Sequence, residues 1–529
     1  MDPPPPEAGN VEAAGTDRRG AAWLRGGAAP AAAFPLLAAV LVVQGLVLRW
    51  GPVDDAYISF RYARNLARGA GLAFNAGQRV EGYTNFLWTV VLAGAARLGM
   101  DIPRAAVCLG VGLASLSLVL TWLLGRSVGA ERNWRRQMAW AAPAILAFYP
   151  GWAYWAFSGM EGPLLACLVL GFLLTSCRPR CGPGAVVAAG VIGVLAAMTL
   201  WEAVLLWPVG VLAQLWDRPR GAAARFGRAA LLAAVLLAGF GAYFAWRYGY
   251  YGDWMPNTYY AKMGWPLLPR LLRGAVNSGE LAVEWLVPVT LVLWVLARPG
   301  RWTISLGVSL LIYVAYVTWT GGDFFAWLRF FAPVLPIAAL MVAEMLHRLC
   351  APARAAGAGR WLRPALTAAA VLTISATAVR IDFLAAREHA GLVEQWRQVG
   401  RWARTKFPPT YRLLLAPVGA VPYFSEHPVV DMLGLTDREV AHFGQTDLSE
   451  PPGHQRSHVR AVLARRPEVV LGHPVLYDRP PTAEEVVLRC PRKTLGRMYR
   501  DAEFQRAYRF EVATVGHRYL GYWVLRGLP

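Results

Sequence analysis

A chain of 529 residues that is 56% hydrophobic and only 16% charged is too apolar for an ordinary soluble domain. Its formal net charge of +20 suggests a nucleic-acid partner, but most cations sit in short loops between apolar runs, where orientation in a bilayer also requires them, so nucleic acid is set aside. Six scattered cysteines give no disulfide framework, and Cys177 and Cys181 lack the His or second Cys pair of a zinc site.

In chain order, Met1–Gly27 is rich in Pro, Ala and Gly, which predicts a disordered tail over 1–29 on the cytoplasmic side. The charge-free run Gly26–Leu48 follows Arg18, Arg19 and Arg25 and lacks an A-x-A-like end, so it reads as an uncleaved first span. Further spans are expected near 105–125, 138–151, 161–176, 185–200, 203–216, 229–246, 283–297, 303–319, 329–346 and 364–380. This gives about eleven crossings of the roughly 20 residues that a hydrocarbon core needs. The clusters Arg126/Arg132/Arg135/Arg136, Arg178/Arg180, Arg218/Arg220/Arg225/Arg228, Arg298/Arg301 and Arg348/Arg354/Arg360/Arg363 then share one side, as positive-inside orientation predicts. Phe86–Ala96 is apolar but too short to cross, and crossing would invert those clusters, so it is expected to lie at the interface. The expected organisation is a polytopic α-helical membrane domain over 30–380, with one long external loop at 49–104. Beyond Arg380 apolar runs shorten and charges become frequent, which predicts an extracytoplasmic α/β domain over 381–529. Its expected elements are a helix at His389–Lys406 and buried strands at Arg412–Leu415, Pro428–Asp431, Val469–Leu471 and Tyr519–Leu525.

The densest polar information lies in the external loop, where Val53–Asn85 reads VDDAYISFRYARNLARGAGLAFNAGQRVEGYTN. Asp54 and Asp55 follow closely on the first span, at the height of a lipid headgroup. A carboxylate there can take a proton from an attacking hydroxyl, although a helix N-cap and a charge at the positive helix end would explain the same pair. The predicted helix from Asp55 to Arg68 puts Arg61, Arg64 and Arg68 along one side, where forked guanidinium donors suit phosphate or a solvated interfacial face. Glu81, Tyr83 and Asn85 approach the interfacial helix and could bind sugar hydroxyls, hold a cation or satisfy loop backbone. Three more outer-side motifs converge on this face: SGME (Ser158–Glu161), YYGDWMPNTYYAK (Tyr250–Lys262) and TGGDFFAWLR (Thr320–Arg329). They bring Glu161, Asn257, Lys262, Asp323 and Arg329, the two cations being suited to neutralise a phosphate or to anchor helices at headgroups.

DDAYISFRYARNL from Asp54 and GLAFNAGQRVEGYTNFLW from Gly71 to Trp88 resemble the C-type (GT-C) superfamily of polyprenyl-phosphate-dependent glycosyltransferases. The resemblance is to the arabinofuranosyltransferases that cap cell-wall arabinan and their bacterial relatives. SGME, PNTYYAK, GGDF and VDMLGLTD follow in the same order. The resemblance implies a catalytic Asp in the first external loop, either Asp54 or Asp55, a lipid-phosphate sugar donor, and residence in a bacterial cytoplasmic membrane. The implied activity is inverting transfer of a sugar to a hydroxyl of a cell-envelope glycan, lipid or protein. Where such relatives often have an Arg-Pro-Glu step this chain has Leu200, Trp201 and Glu202, so Arg329 or Lys262 is left to serve the donor phosphate. No nucleotide motif appears, and a divalent cation could be held by the carboxylates. The alternative from another class is a transporter or flippase of lipid-linked sugars, which would place charges within the spans. Glu202 and Glu344, near span ends, are among the few.

Overall fold

The computed structural model describes residues 33–132, 134, 136–179, 181–216, 221–287, 290, 300–323, 325–349, 359–450, 454–490 and 493–528. The tail 1–29, most of the span expected at 283–297, and Arg135, Arg180, Arg218, Arg220, Arg298 and Arg354 lie outside them.

Among the described residues, four helices are long and apolar enough to cross a bilayer alone: Ile102–Arg132, Ala222–Tyr251, Arg301–Thr320 and Arg329–Arg348. Shorter apolar helices accompany them at Ala33–Val47, Phe86–Arg97, Met138–Phe148, Pro183–Thr199 and Trp201–Leu215. Arg329–Arg348 is the most enclosed of the four long helices. Around it Ile102–Arg132 packs on Gly162–Ser176, which packs on Pro183–Thr199, which packs on Ala222–Tyr251. Leu36, Val43, Leu46 and Val47 point outward from the first helix, and Leu237 from the helix Ala222–Tyr251. Such exposure is stable in lipid and a liability in water.

The segment Gly151–Met160, expected as a connection, is instead mostly the helix Pro150–Phe157, which meets Gly162–Ser176 at a 111° bend. All eight residues of PGWAYWAF are buried, so the segment cannot lie in solvent as a loop. Small residues permit the close helix contacts that membrane bundles use. A Cβ at Gly110 would overlap the Ala156 carbonyl oxygen, whereas one at Gly112 on the same helix would meet nothing within 4 Å.

The span expected at 364–380 and the helix expected at His389–Lys406 are one uninterrupted helix, Gly359–Lys406. Neither Pro nor Gly falls between Arg380 and Ala390, so nothing stops the helix there.

Beyond it the chain forms β1 (Leu413–Leu415), β2 (Val429–Asp431), β3 (Gln445–Thr446), β4 (Arg456–Ser457), β5 (Val469–Gly472), β6 (Tyr508–Val515) and β7 (Arg518–Leu525). Five of these make one sheet in the order β2-β1-β5-β7-β6. β1 pairs in parallel with β2 and β5, while β7 pairs antiparallel with β5 and β6. β6 is absent from the sequence expectation: it carries Arg509 and Glu511, and only its end residues Tyr508 and Val515 are buried.

This C-terminal part is fastened to the helix Asp54–Ala67 by backbone groups. The guanidinium of Arg61, 4% exposed, donates to the carbonyls of Phe74 (2.8 Å), Pro422 (2.8 Å) and His427 (2.8 Å). Arg64 donates to the Tyr423 carbonyl (2.7 Å) and lies over its ring, and Arg68 pairs with Glu426 (2.9 Å). Asn75 donates to the Val429 carbonyl (2.8 Å) and accepts from its N–H (3.0 Å). The cationic stripe is therefore a docking face.

Two outcomes are expected. Gly110→Val should lower the thermal stability of the detergent-purified protein, by about 1–3 kcal/mol for overpacking, while Gly112→Val leaves it unchanged; equal losses would contradict the contact. Arg61→Gln leaves buried carbonyls without a donor at about 1–3 kcal/mol each, so the C-terminal part should become sensitive to limited proteolysis. A stable protein with weakened donor binding would instead make Arg61 a substrate ligand.

Candidate functional site

Helix Asp54–Ala67 begins after Val53, whose N–H donates to the Ser158 carbonyl (3.0 Å). Asp54 and Asp55 occupy its first turn, and neither caps it; Val53 holds the cap position without a side-chain bond. The two acids have different surroundings. Asp54 is buried, its carboxylate accepting from the backbone N–H of Ala420 (2.7 Å) and Gly419 (3.2 Å). Burial pushes its carboxyl up to about 7, with the Ala420 N–H opposing and Asp55 reinforcing. Asp55 faces a cavity of about 960 Å³. Burial alone would raise its pKa, but Arg329 and then Lys262 outweigh that and hold the carboxyl below its ordinary value.

Arg329 is aimed by a strained turn: Trp327 (φ 65°) and Leu328 (φ 54°) are successive non-glycine residues in the left-handed region. The Trp327 N–H donates to Asp382 (2.9 Å), and its carbonyl accepts from the Trp155 indole (2.7 Å), which keeps the turn in place. From there Arg329 donates to Asp55 Oδ2 (2.8 Å) and to Asp323 Oδ1 (2.9 Å), with a further bond from Nε to Asp323. One guanidinium thus links two carboxylates in the fork geometry that suits oxyanions.

Of the sequence-predicted residues, Asp55, Tyr83, Asn85, Glu161, Glu202, Lys262, Asp323 and Arg329 all line this cavity. Asn85 is fixed from several sides: its Nδ2 donates to Glu161 (2.6 Å), while its Oδ1 accepts from Ser59 (2.9 Å) and Thr89 (3.1 Å). The Tyr83 hydroxyl meets that of Tyr251 at 3.0 Å. Glu202 lies beside Tyr316, with Glu161 and Lys262 as charged neighbours. The rest of the wall is largely apolar, with Leu200, Leu205, Phe240, Ile312 and Pro333. The cavity therefore combines charged groups of both signs with a largely apolar lining.

Five predicted residues stand elsewhere, each with at least one polar atom engaged by a protein group. Asp54, Arg61 and Arg64 serve the C-terminal part, as described. Glu81 pairs with the fully buried Arg247 (2.7 Å from Nε), and burial ahead of that pairing raises its carboxyl to about 7. Asn257 donates to the carbonyls of Gly434 (2.7 Å) and Leu435 (3.0 Å). Conversely, Arg273, Leu435 and His454 line the cavity without having been singled out. Leu435 and His454 come from the C-terminal part, and only its docking could have revealed them. Among the described residues, no group of three His, Cys, Asp or Glu side chains is placed to hold a metal ion.

The charged groups, of both signs and in apolar surroundings, can bind an anionic headgroup and accept a proton, while the apolar lining suits a chain. Comparison with known proteins bears on this arrangement. A family model described as a domain of unknown function (DUF8728) matches residues 386–523. The terminal β-(1→2)-arabinofuranosyltransferase of Mycobacterium tuberculosis is 33% identical over 234 residues, which cover 42% of this chain and 37% of that protein. The chain thus aligns with little more than a third of its curated relative's length. The crystal structure of ArnT from Cupriavidus metallidurans bound to undecaprenyl phosphate superposes with a TM-score of 0.54 at 15% identity, covering 94% of this chain and 99% of that one. Arabinofuranosyltransferase AftD from Mycobacteria does so with a TM-score of 0.51 at 16% identity, covering 93% and 40%. The chain is an integral membrane protein with the GT-C glycosyltransferase fold, and it resembles the terminal arabinofuranosyltransferases as its first loop led one to expect.

Proposed function

We propose that the chain is an inverting glycosyltransferase that moves a sugar from a polyprenyl-phosphate donor to a hydroxyl of a cell-envelope acceptor. The observation that carries this reading is the cavity in which Asp55 meets Arg329 beside Lys262 while Leu200, Leu205, Phe240, Ile312 and Pro333 make much of the wall apolar. The donor's lipid chain lies along the apolar wall and its phosphate meets Arg329 and Lys262. The acceptor hydroxyl attacks the anomeric carbon as the bond to the phosphate oxygen breaks. Asp55 takes the hydroxyl proton, and the polyprenyl phosphate leaves with the electron pair of the broken bond. Arg329 keeps Asp55 ionised before reaction and, as negative charge grows on the leaving phosphate, offers that charge a forked donor. Glu161, oriented by Asn85, and Glu202 are placed to accept hydrogen bonds from sugar hydroxyls. Asp54 is a structural neighbour of the base. The curated relative's activity and the undecaprenyl phosphate held by ArnT support the same reading.

The chain crosses the membrane about eleven times, the N-terminus in the cytoplasm and the cavity mouth and C-terminal domain outside, with Phe86–Arg97 at the interface. Ala76 and Ala130 are both exposed and fall on opposite sides in this arrangement. In intact cells, with the six native cysteines replaced, a membrane-impermeant maleimide should label Ala76→Cys and spare Ala130→Cys. Labelling of both would overturn the topology.

The catalytic assignment is tested with radiolabelled polyprenyl-phosphate arabinofuranose and a panel of other polyprenyl-phosphate sugars. Asp55→Asn should cut transfer by about 10²–10⁴-fold without lowering the unfolding temperature. Asp54→Asn should instead destabilise by about 1–3 kcal/mol, since an amide cannot accept from both backbone N–H groups. Wild-type rates in Asp55→Asn would end the assignment.

A further inference from the structure

The stretch from Asp253 to Gly264 is held from two sides: Arg247 donates to the Asp253 carbonyl (2.8 Å) and the Asn257 N–H to the Glu81 carbonyl (3.0 Å), while the C-terminal part holds both ends of its short helix. Within it the six-residue helix Asn257–Lys262 carries Lys262 at its last position. So short a helix does not hold itself, and its end carbonyls need partners from outside. At its start, Asn257 Nδ2 donates to the Gly434 and Leu435 carbonyls. At its end, Gln455 Nε2 donates to the carbonyls of Ala261 (2.8 Å) and Lys262 (2.9 Å). Gln455 is 1% exposed, and its Oε1 accepts the His454 N–H (3.1 Å), so its amide is fixed in orientation. Arg438 pairs with Asp253 (2.8 Å), and the Tyr260 ring lies 3.9 Å from that of His442.

We propose that the C-terminal domain sets the geometry of donor-phosphate binding through Gln455, a positioning residue that fixes the backbone from which Lys262 enters the cavity. This rests on the reading of Lys262 as a phosphate ligand. A lysine carries its charge on a flexible four-carbon stem, so where the charge sits depends on how firmly its backbone is held. Gln455 grips the carbonyl of Lys262 itself and that of the preceding residue. The charge lands among Asp55, Asp323, Glu202 and Arg329, where a small displacement exchanges attractive for repulsive neighbours. Gln455 lies inside residues 386–523, the segment matched as a domain of unknown function, and the contact gives that segment a task at the membrane cavity.

The test uses the full chain in detergent and undecaprenyl phosphate as probe, with affinity read from tryptophan fluorescence. Lys262→Met and Gln455→Leu should each weaken binding about tenfold, and the double variant no more than Lys262→Met alone, as residues acting through one contact behave. Tyr508→Phe, which removes a bond to the Pro467 carbonyl at the far side of the sheet, should leave affinity unchanged. A second readout is independent of phosphate: Gln455→Leu should change the rate at which a charged thiosulfonate labels Lys262→Cys by about fivefold or more. The inference is overturned if Gln455→Leu binds normally while Lys262→Met does not, if the two losses multiply, or if the labelling rate is unmoved. If Lys262→Met binds normally but labelling still responds to Gln455→Leu, the positioning stands and the phosphate reading of Lys262 fails.

Discussion

Successive residues on an α-helix point about 100° apart, and this chain uses that angle to give two neighbouring acids different work. Asp54 turns to the C-terminal part and receives the N–H groups of Gly419 and Ala420. Asp55 turns to the cavity and meets Arg329. The fit is close, because a Cβ at Gly419 would overlap the Asp54 carbonyl oxygen. The turn at Gly419 and Ala420 is therefore registered to the residue beside the proposed base.

The charges in the cavity obey the same rule of shared partners. Bringing carboxylates and cations out of water is costly unless each finds an opposite charge with good geometry, and breaking one such pair strands the other member. Arg329 answers this by serving Asp323 and Asp55 together. Glu81 and Arg247 form a separate buried pair, 166 residues apart in sequence, that ties the first loop to the helix Ala222–Tyr251. A ligand phosphate arriving at Arg329 would compete with Asp55 for the guanidinium.

The sequence showed the apolar helices, the acid pair and four of the five strands of the main sheet, because each is written in a short contiguous pattern. The expected strand at Tyr519–Leu525 lies within the observed Arg518–Leu525, and the one at Val469–Leu471 lies within Val469–Gly472. What it could not show is partnership across long separations. An arginine suited to phosphate is equally suited to carbonyls, and Arg61 finds its own at Pro422 and His427, more than 360 residues away. Asn257 reads as a sugar ligand by chemistry and proves to be a clamp by position. SGME at Ser158–Glu161 was legible as a motif, but neither the bend there nor the helix before it was, since PGWAYWAF has no polar face to give it a period.

The same long-range contacts tie the cavity to the C-terminal part. A hydrocarbon environment holds helices by packing but offers no water to satisfy the irregular loops that carry polar ligands, so those loops must find protein partners. Here many of the partners come from the C-terminal part. Carbonyls of 422–427 satisfy Arg61 and Arg64, carbonyls of 434 and 435 satisfy Asn257, and Gln455 satisfies the end of the helix that bears Lys262. Leu435 and His454 then complete the cavity wall. The loops that bear these groups are thus pinned by hydrogen bonds, which a site requires if a carboxylate, a guanidinium and an ammonium are to meet one phosphate-bearing substrate at fixed distances.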